Sequence, residues 1–197
     1  MRLASAPGSW GIEPSSVLGD PPWRRVLSEI RQAGFDGTEL GPFGYLPTDA
    51  AALREALAEH GLALPAGYVM QPLADAELRE EVLELTRGTC ALVAGTGGQA
   101  LVVIDGLDPA RSATAGRSAE AARLPATAWR RLVGTVGEIV AIAAEHGLVA
   151  AFHAHAGTHV EFDDELERLV DDVPGLRVCV DTGHAVYAGT DPLAQIE

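Results

Sequence analysis

Strands and helices alternate along the chain in a way that predicts a (β/α)8 TIM barrel. We read it as a single domain over residues 1–197, truncated after six βα units, with units seven and eight missing. Three observations carry this expectation. First, a helix pattern, a glycine and a short apolar strand recur, with Gly34, Gly61, Gly98, Gly147 and Gly175 as the markers; glycine just past a helix end supplies the left-handed cap conformation. Second, six such units follow in order within 197 residues, where a complete barrel takes about 250. Third, two strands end in groups that bind metals or move protons: 152–161, which holds three of the six histidines, and 178–184. An open doubly wound sheet is the rival fold. It calls for a glycine-rich first turn opening a helix, whereas Gly95-Thr96-Gly97-Gly98 precedes a strand.

Taken in order, the first strand is expected over 3–6, followed by a helix that Asp20 caps and Pro21 opens. Its apolar face is Trp23, Val26, Leu27 and Ile30, at helical spacing. The second strand, 35–40, closes on Glu39, and the second helix starts at Thr48-Asp49. The third strand, 62–69, is interrupted by Pro65, and the third helix starts near Asp75. The fourth strand, 100–104, ends at Asp105. A polar connection, 108–124, comes next and is long enough to cover a site. The fourth helix spans 127–146, the fifth strand carries the histidines, and the fifth helix starts near Asp163. The sixth strand covers 176–180, and a sixth helix is expected from Asp191-Pro192.

Composition excludes several classes. A net charge of −14, with no lysine, opposes binding to nucleic acid. No apolar run approaches the roughly 18 residues that span a membrane, and the N-terminus lacks a signal-peptide core. A cytoplasmic location is therefore expected, with no membrane partner. Cys90 and Cys179 form no C-x-x-C pair and read as small buried hydrophobes.

His153 and His155 are two apart on a strand, so they share a face. In a barrel that face is the interior, at the C-terminal mouth where active sites lie. Parity on the sixth strand sets Asp181 at the same rim, with His184 in the following loop. Imidazoles and a carboxylate converging there suit Mn²⁺, Co²⁺, Mg²⁺ or Zn²⁺. Glu39 and Asp105 close their strands and can add charge or a base. Burying four such groups at two strand ends without a function is costly. His60 and His146, beside helix-end glycines, read instead as caps. Trp10 and Tyr45 are candidates for lining a sugar pocket, Arg111 and Arg117 for meeting a phosphate, and His159 for a site loop.

At these residues the chain resembles a known family. Ser9-Trp10-Gly11, Gly37-Thr38-Glu39-Leu40-Gly41-Pro42, His153-x-His155-x-Gly157-Thr158-x-Val160-Glu161 and Asp181-Thr182-Gly183-His184 are similar to segments of the xylose-isomerase-like TIM barrels. That superfamily includes sugar phosphate isomerases and epimerases, and the resemblance is strongest to its inosose dehydratase branch. It implies a divalent metal held by strand-end residues, with His153 and Asp181 in ligand positions. It also implies that His184 touches metal or substrate. Many members have a glutamate where His153 stands, and further ligands come from strands seven and eight.

The expected function is a metal-dependent isomerase, epimerase or dehydratase acting on a small sugar or cyclitol. His184, His155 and Glu39 are the acid–base candidates; Trp10, Tyr45, Asp105, Arg117 and His159 are the substrate-binding candidates. The rivals are a metallonuclease of the endonuclease-IV kind, which the charge opposes, and a non-catalytic barrel fragment that binds a sugar or forms a homo-oligomer through open strand edges.

Overall fold

The computed structural model describes residues 3–13, 19 and 21–196. Among the described residues six strands follow in chain order, as a two-stranded and a four-stranded parallel sheet. β1 (Ala4–Ser5) pairs with β2 (Gly37–Thr38). A parallel bridge from Gly37 to Ala63 carries the sheet toward β3 (Ala66–Gln71), and the Leu40 N–H donates to the Ala66 carbonyl at 3.1 Å. β3, β4 (Ala100–Asp105), β5 (Val149–Phe152) and β6 (Arg177–Val178) then form a four-stranded sheet in that order. This is the expected (β/α)8 barrel arrangement, six units of it. Among the described residues no helix is long and apolar enough to cross a membrane.

Helices connect the strands and cover one face of the sheet. α1 (Trp23–Gln32) turns Val26, Leu27 and Ile30 inward, all fully buried. α2 (Ala50–His60) is capped by Asp49, whose carboxylate accepts the N–H groups of Ala51 and Ala52; this satisfies donors that have no partner within the helix. α3 (Arg79–Gly95) and α5 (Ala126–Glu145) pack together against β3, β4 and β5. Trp129, Leu132, Val136 and Ile139 of α5 meet Leu101, Val103, Ala150 and Phe152 in one buried cluster. Trp129 is core, as its helical spacing predicts; Trp23 packs half-buried at the edge of the cluster.

Several local expectations are revised. The proposed Asp20 cap lies outside the described residues. α3 begins four residues after Asp75, because the Asp75 carboxylate closes a turn on the Glu77 N–H instead. After α3 the left-handed position is Gly97 rather than Gly98; Gly98 is required by crowding, since a Cβ there would sit 2.5 Å from a Val93 methyl. The long polar connection contains a short helix, α4 (Pro109–Ala113), capped by Asp108. α6 (Asp163–Asp172) starts where expected. The largest difference is after β6: α7 (Thr182–Tyr187) begins at once, capped by Asp181, and 192–196 form turns instead of a helix. His60 and His146 both point a ring nitrogen at a carbonyl of their own last helical turn, at 2.8 and 3.0 Å.

Candidate metal centre and its acid–base groups

Side-chain alternation decides which residues face the interior of the curved sheet. On β4, Leu101 and Val103 belong to the helix-facing core, so Val102 and Ile104 face the other way. β5 pairs Val102 with Ala151 and Val103 with Phe152, which puts His153 on the inner face beyond Ala151. The His153 N–H still donates to the Val103 carbonyl, at 2.9 Å. Cys179 donates to the Phe152 carbonyl at 2.8 Å, placing Cys179 and then Asp181 on the same inner face. His153 and Asp181 therefore meet at the C-terminal rim, with His153 Nε2 3.8 Å from Asp181 Oδ2.

The turn after β5 brings two more imidazoles. His155 accepts no strand partner but closes the turn, its N–H bonded to the Val160 carbonyl, and Thr158 Oγ1 donates to the His155 carbonyl at 2.9 Å. His184 is not in a loop; it sits on the first turn of α7, where its N–H donates to Asp181 Oδ1 at 2.8 Å. Ring centroids are 4.0 Å apart for His155 and His184, 5.3 Å for His153 and His184, and 5.5 Å for His153 and His155. Among the described residues, His153, Asp181 and His184 are the group whose ligand atoms converge closely enough to hold a metal ion.

One residue, Ala156, differentiates the two outer imidazoles. Its carbonyl lies 2.9 Å from His155 Nδ1. A carbonyl can only accept, so His155 Nδ1 carries the proton and Nε2 a free lone pair. Its N–H donates to His184 Nδ1 at 3.2 Å, so neutral His184 carries its proton on Nε2. Neighbouring rings thus present opposite functions, one a base and one a donor.

His153 is nearly enclosed, and its Nε2 is a buried atom without a hydrogen-bond partner. Burial, opposed by Asp181 and reinforced by His155 and His184, pushes its imidazole down to about 4. A neutral ring with a free lone pair beside a carboxylate oxygen fits a divalent cation: Asp181 Oδ1 is occupied by the His184 N–H, while Oδ2 faces His153. Burial raises the Asp181 carboxyl, but its hydrogen bond from His184, the nearby imidazoles and the Gly183 N–H outweigh this and hold it below the usual range. Burial, then His155, lowers His184, so it too is neutral near pH 7.

A pH dependence follows. In the metal-free chain the unfolded state binds a proton at His153 near 6.5 and the folded state only near 4, so folding is fully favoured above 6.5 and loses stability as pH falls from 6.5 to 4. The loss should reach about 3 kcal/mol. Urea melts at steps through this window should show it, and His153→Phe should flatten the slope; equal slopes for both chains would show that His153 is not the group responsible.

The other expected site residues fall into two groups. Glu39 is half-buried on the inner face, and burial raises its carboxyl; its charge is felt by Tyr68, pushed up to about 12 chiefly by burial, and by Cys179. Cys179 is only half-buried and lines this interior, a correction to its reading as a core residue, whereas Cys90 is buried. Asp105 shares the helix-facing side of β4 and is 1% exposed. Its Oδ1 accepts the Leu73 N–H, and its Oδ2 faces both the N–H and the ring of His159. Asp105 and His159 line a separate cavity of about 650 Å³ with Asp108 and Arg131, not the one beside His184.

Trp10 donates its indole N–H to Glu29 of α1 at 2.7 Å, and the Tyr45 hydroxyl donates to the Pro21 carbonyl at 2.8 Å; both rings pack on the core. Arg117 is exposed and engaged by Glu120 and the Ala113 carbonyl. Arg111, a phosphate candidate from sequence, is 1% exposed and forks both carboxylate oxygens of Glu165 at 2.9 Å. Two residues to which sequence reasoning gave no role are Glu161, quoted only as the end of a motif, and Glu165, each 5% exposed. Glu165 left a trace in the sequence: it stands three residues after Phe162, where its carboxylate accepts the Phe162 N–H at the helix start.

Comparison with known proteins places the fold. The family description "Xylose isomerase-like TIM barrel" matches residues 27–197. The rhizopine catabolism protein MocC of Rhizobium meliloti is 33% identical over 201 residues, which cover 98% of this chain and 59% of that protein. Inosose dehydratase of Geobacillus kaustophilus (strain HTA426) is 30% identical, covering 98% of this chain and 63% of that protein. The chain thus spans about three fifths of the length of these curated relatives. A crystal structure of the IOLI protein with a bound zinc atom superposes with a TM-score of 0.71 at 16% identity, covering 97% of this chain and 66% of that one, a likeness of fold.

Proposed function

The chain belongs to the xylose isomerase-like TIM barrel family, and from that premise we propose that it serves a sugar- or cyclitol-modifying enzyme. The reaction is abstraction of a proton α to a carbonyl, and an inosose-type cyclitol ketone is the preferred substrate. The observation that carries the reading is the strand-end cluster: an imidazole whose buried Nε2 has no hydrogen-bond partner and faces a carboxylate, beside two imidazoles held in opposite tautomers. The dehydratase named among the relatives directs the choice of a cyclitol.

His153 and Asp181 would hold a divalent ion; His184 lies beside them, but the Ala156 N–H takes its Nδ1 lone pair, so in this tautomer it serves as a proton donor and not as a ligand. An imidazole in the donor set favours Zn²⁺ or Co²⁺ over Mg²⁺. When bound, such an ion supplies Lewis acidity to a substrate carbonyl. The remaining steps belong to the side chains. His155 Nε2, with its free lone pair, takes the proton from the carbon next to the carbonyl. His184 Nε2–H delivers a proton: to a departing β-hydroxyl, which leaves as water in a dehydration, or to the neighbouring centre in an isomerisation. Tyr187 and Ala115 border the opening beside His184 and can flank a ring. Glu39, with its raised carboxyl on the inner face, is a second proton carrier.

The test is isotope exchange. The metal-loaded chain is incubated with scyllo-inosose in D2O and the substrate's α-carbon is followed by NMR. Exchange or dehydration should occur with the parent chain and fall by about 10²-fold or more in His155→Asn. Absence of both reactions from the parent chain, with metal bound, would sink the assignment.

A further inference from the structure

We propose that Glu161 is a positioning residue that ties the long connection after β4 and the turn after β5 into one body, and through Ala156 sets the opposite tautomers of His155 and His184. The consequence for catalysis rests on the acid–base reading above; the mechanical claim does not.

Glu161 is 5% exposed, yet each of its carboxylate oxygens holds a different segment. Oε1 accepts the Gly116 N–H at 2.6 Å, and Oε2 accepts the Gly157 N–H at 2.9 Å. The Gly157 carbonyl in turn accepts the Asp108 N–H at 3.0 Å, at the start of the same long connection. Two convergent N–H donors on two oxygens demand a carboxylate. An amide would turn its NH₂ toward one of them, and a shorter or apolar side chain would leave both unpaired.

The contacts are flush. Gly157 has φ of 80°, and a Cβ there would lie 2.8 Å from Ser112 Oγ. Gly116 has φ of 74°, and a Cβ would meet Tyr187 of α7 at 3.1 Å. The connection is thus seated against both the turn that bears His155 and the helix that bears His184. Ala156, the residue before Gly157, donates to one imidazole and accepts from the other. Moving Gly157 moves both hydrogen bonds. Arg111 holds Glu161 from behind, Nη2 to Oε2 at 3.9 Å, while forking Glu165, whose Oε2 accepts the Glu161 N–H. Buried charges of this kind are a poor route to stability and are best explained by the geometry they impose.

The test uses the metal-free chain labelled with ¹⁵N-histidine at a pH of about 8, above the imidazole range. In the parent chain, His155 and His184 should show opposite nitrogen protonation patterns. In Glu161→Gln both should move toward a common, tautomer-averaged pattern, and the Gly116 amide should exchange with solvent at least ~10-fold faster. A purely structural role would lower the melting temperature and leave the imidazole patterns unchanged, and that result overturns the proposal. If Glu161→Gln does not fold, the parent chain decides: Gly116 and Gly157 amides tied to one carboxylate should exchange together, and a difference above ~10-fold between them rejects the tie. Failure of the metallo-enzyme reading would appear separately, as absent metal binding with these patterns intact.

Discussion

Alanine at Asp181, and separately at His153, is expected to abolish binding of Zn²⁺ or Co²⁺, weakening it by more than about 100-fold. Outer partners of metal ligands alone are worth 10- to 100-fold, and these two residues are the proposed ligands themselves. Asp181 supplies the negative charge at the rim, its Oδ2 turned to His153. His153 turns toward Oδ2 a ring nitrogen, Nε2, that no hydrogen bond occupies. Without Asp181, neutral imidazoles face the ion with no negative charge; without His153, the Asp181 carboxylate loses the imidazole turned toward its Oδ2. Asp181 also caps α7, so Asp181→Asn is the companion variant, since an amide oxygen keeps the cap while removing the charge. Isothermal titration with each metal, alongside circular dichroism to verify folding, makes the measurement. Retention of parent-like affinity in both His153→Ala and Asp181→Asn would show that the ion binds elsewhere.

Arg111→Met is expected to cost about 3–5 kcal/mol of folding stability, the range for removing one partner of a buried ion pair. Arg111 is 1% exposed and spans Glu165, Glu161 and the Ala122 carbonyl. Its removal strands two carboxylates of 5% exposure, with Arg123 left beside Glu165. The effect comes from uncompensated charge more than from lost attraction. Arg111→Met combined with Glu165→Gln should therefore recover a substantial part of the loss. Urea denaturation of parent, single and double variants measures it; a double variant less stable than the single by the full cost of a second independent site would contradict the charge argument.

The barrel order was legible because the signals are local. Helical spacing of Val26, Leu27 and Ile30, the helix start at Asp49 and the glycines at 34, 61, 147 and 175 act within a few residues of chain, and the structure places each where the pattern puts it; after α3 alone the left-handed position moves, from Gly98 to Gly97. The pairing of His153 with Asp181 was legible for a similar reason. A strand turns alternate side chains to opposite faces, so parity alone carries both to one rim. Asp105 was less readable. β4 is apolar on both faces, Leu101 and Val103 on one and Val102 and Ile104 on the other, as expected of a parallel strand covered on both sides. No polarity contrast marks the inner face, so the side to which Asp105 points was hidden. α7 was also missed, because Thr182-Gly183 after Asp181 reads as loop while the Asp181 cap is what makes it a helix.

The amino-acid sequence by itself carried the resemblance to the family, in its motifs, and determined the unit order and the meeting of His153 with Asp181, because strand and helix periodicity are properties of neighbouring residues. Only the tertiary structure decided that Arg111 is buried on Glu165 instead of facing solvent, that Asp105 and His159 open on a different cavity, and that Ala156 gives two adjacent histidines opposite tautomers. The first two, and the His184 half of the third, depend on contacts between segments dozens of residues apart, such as the 54 separating Arg111 from Glu165. Hydrogen-bond direction and burial at such contacts exist only once the chain has closed on itself.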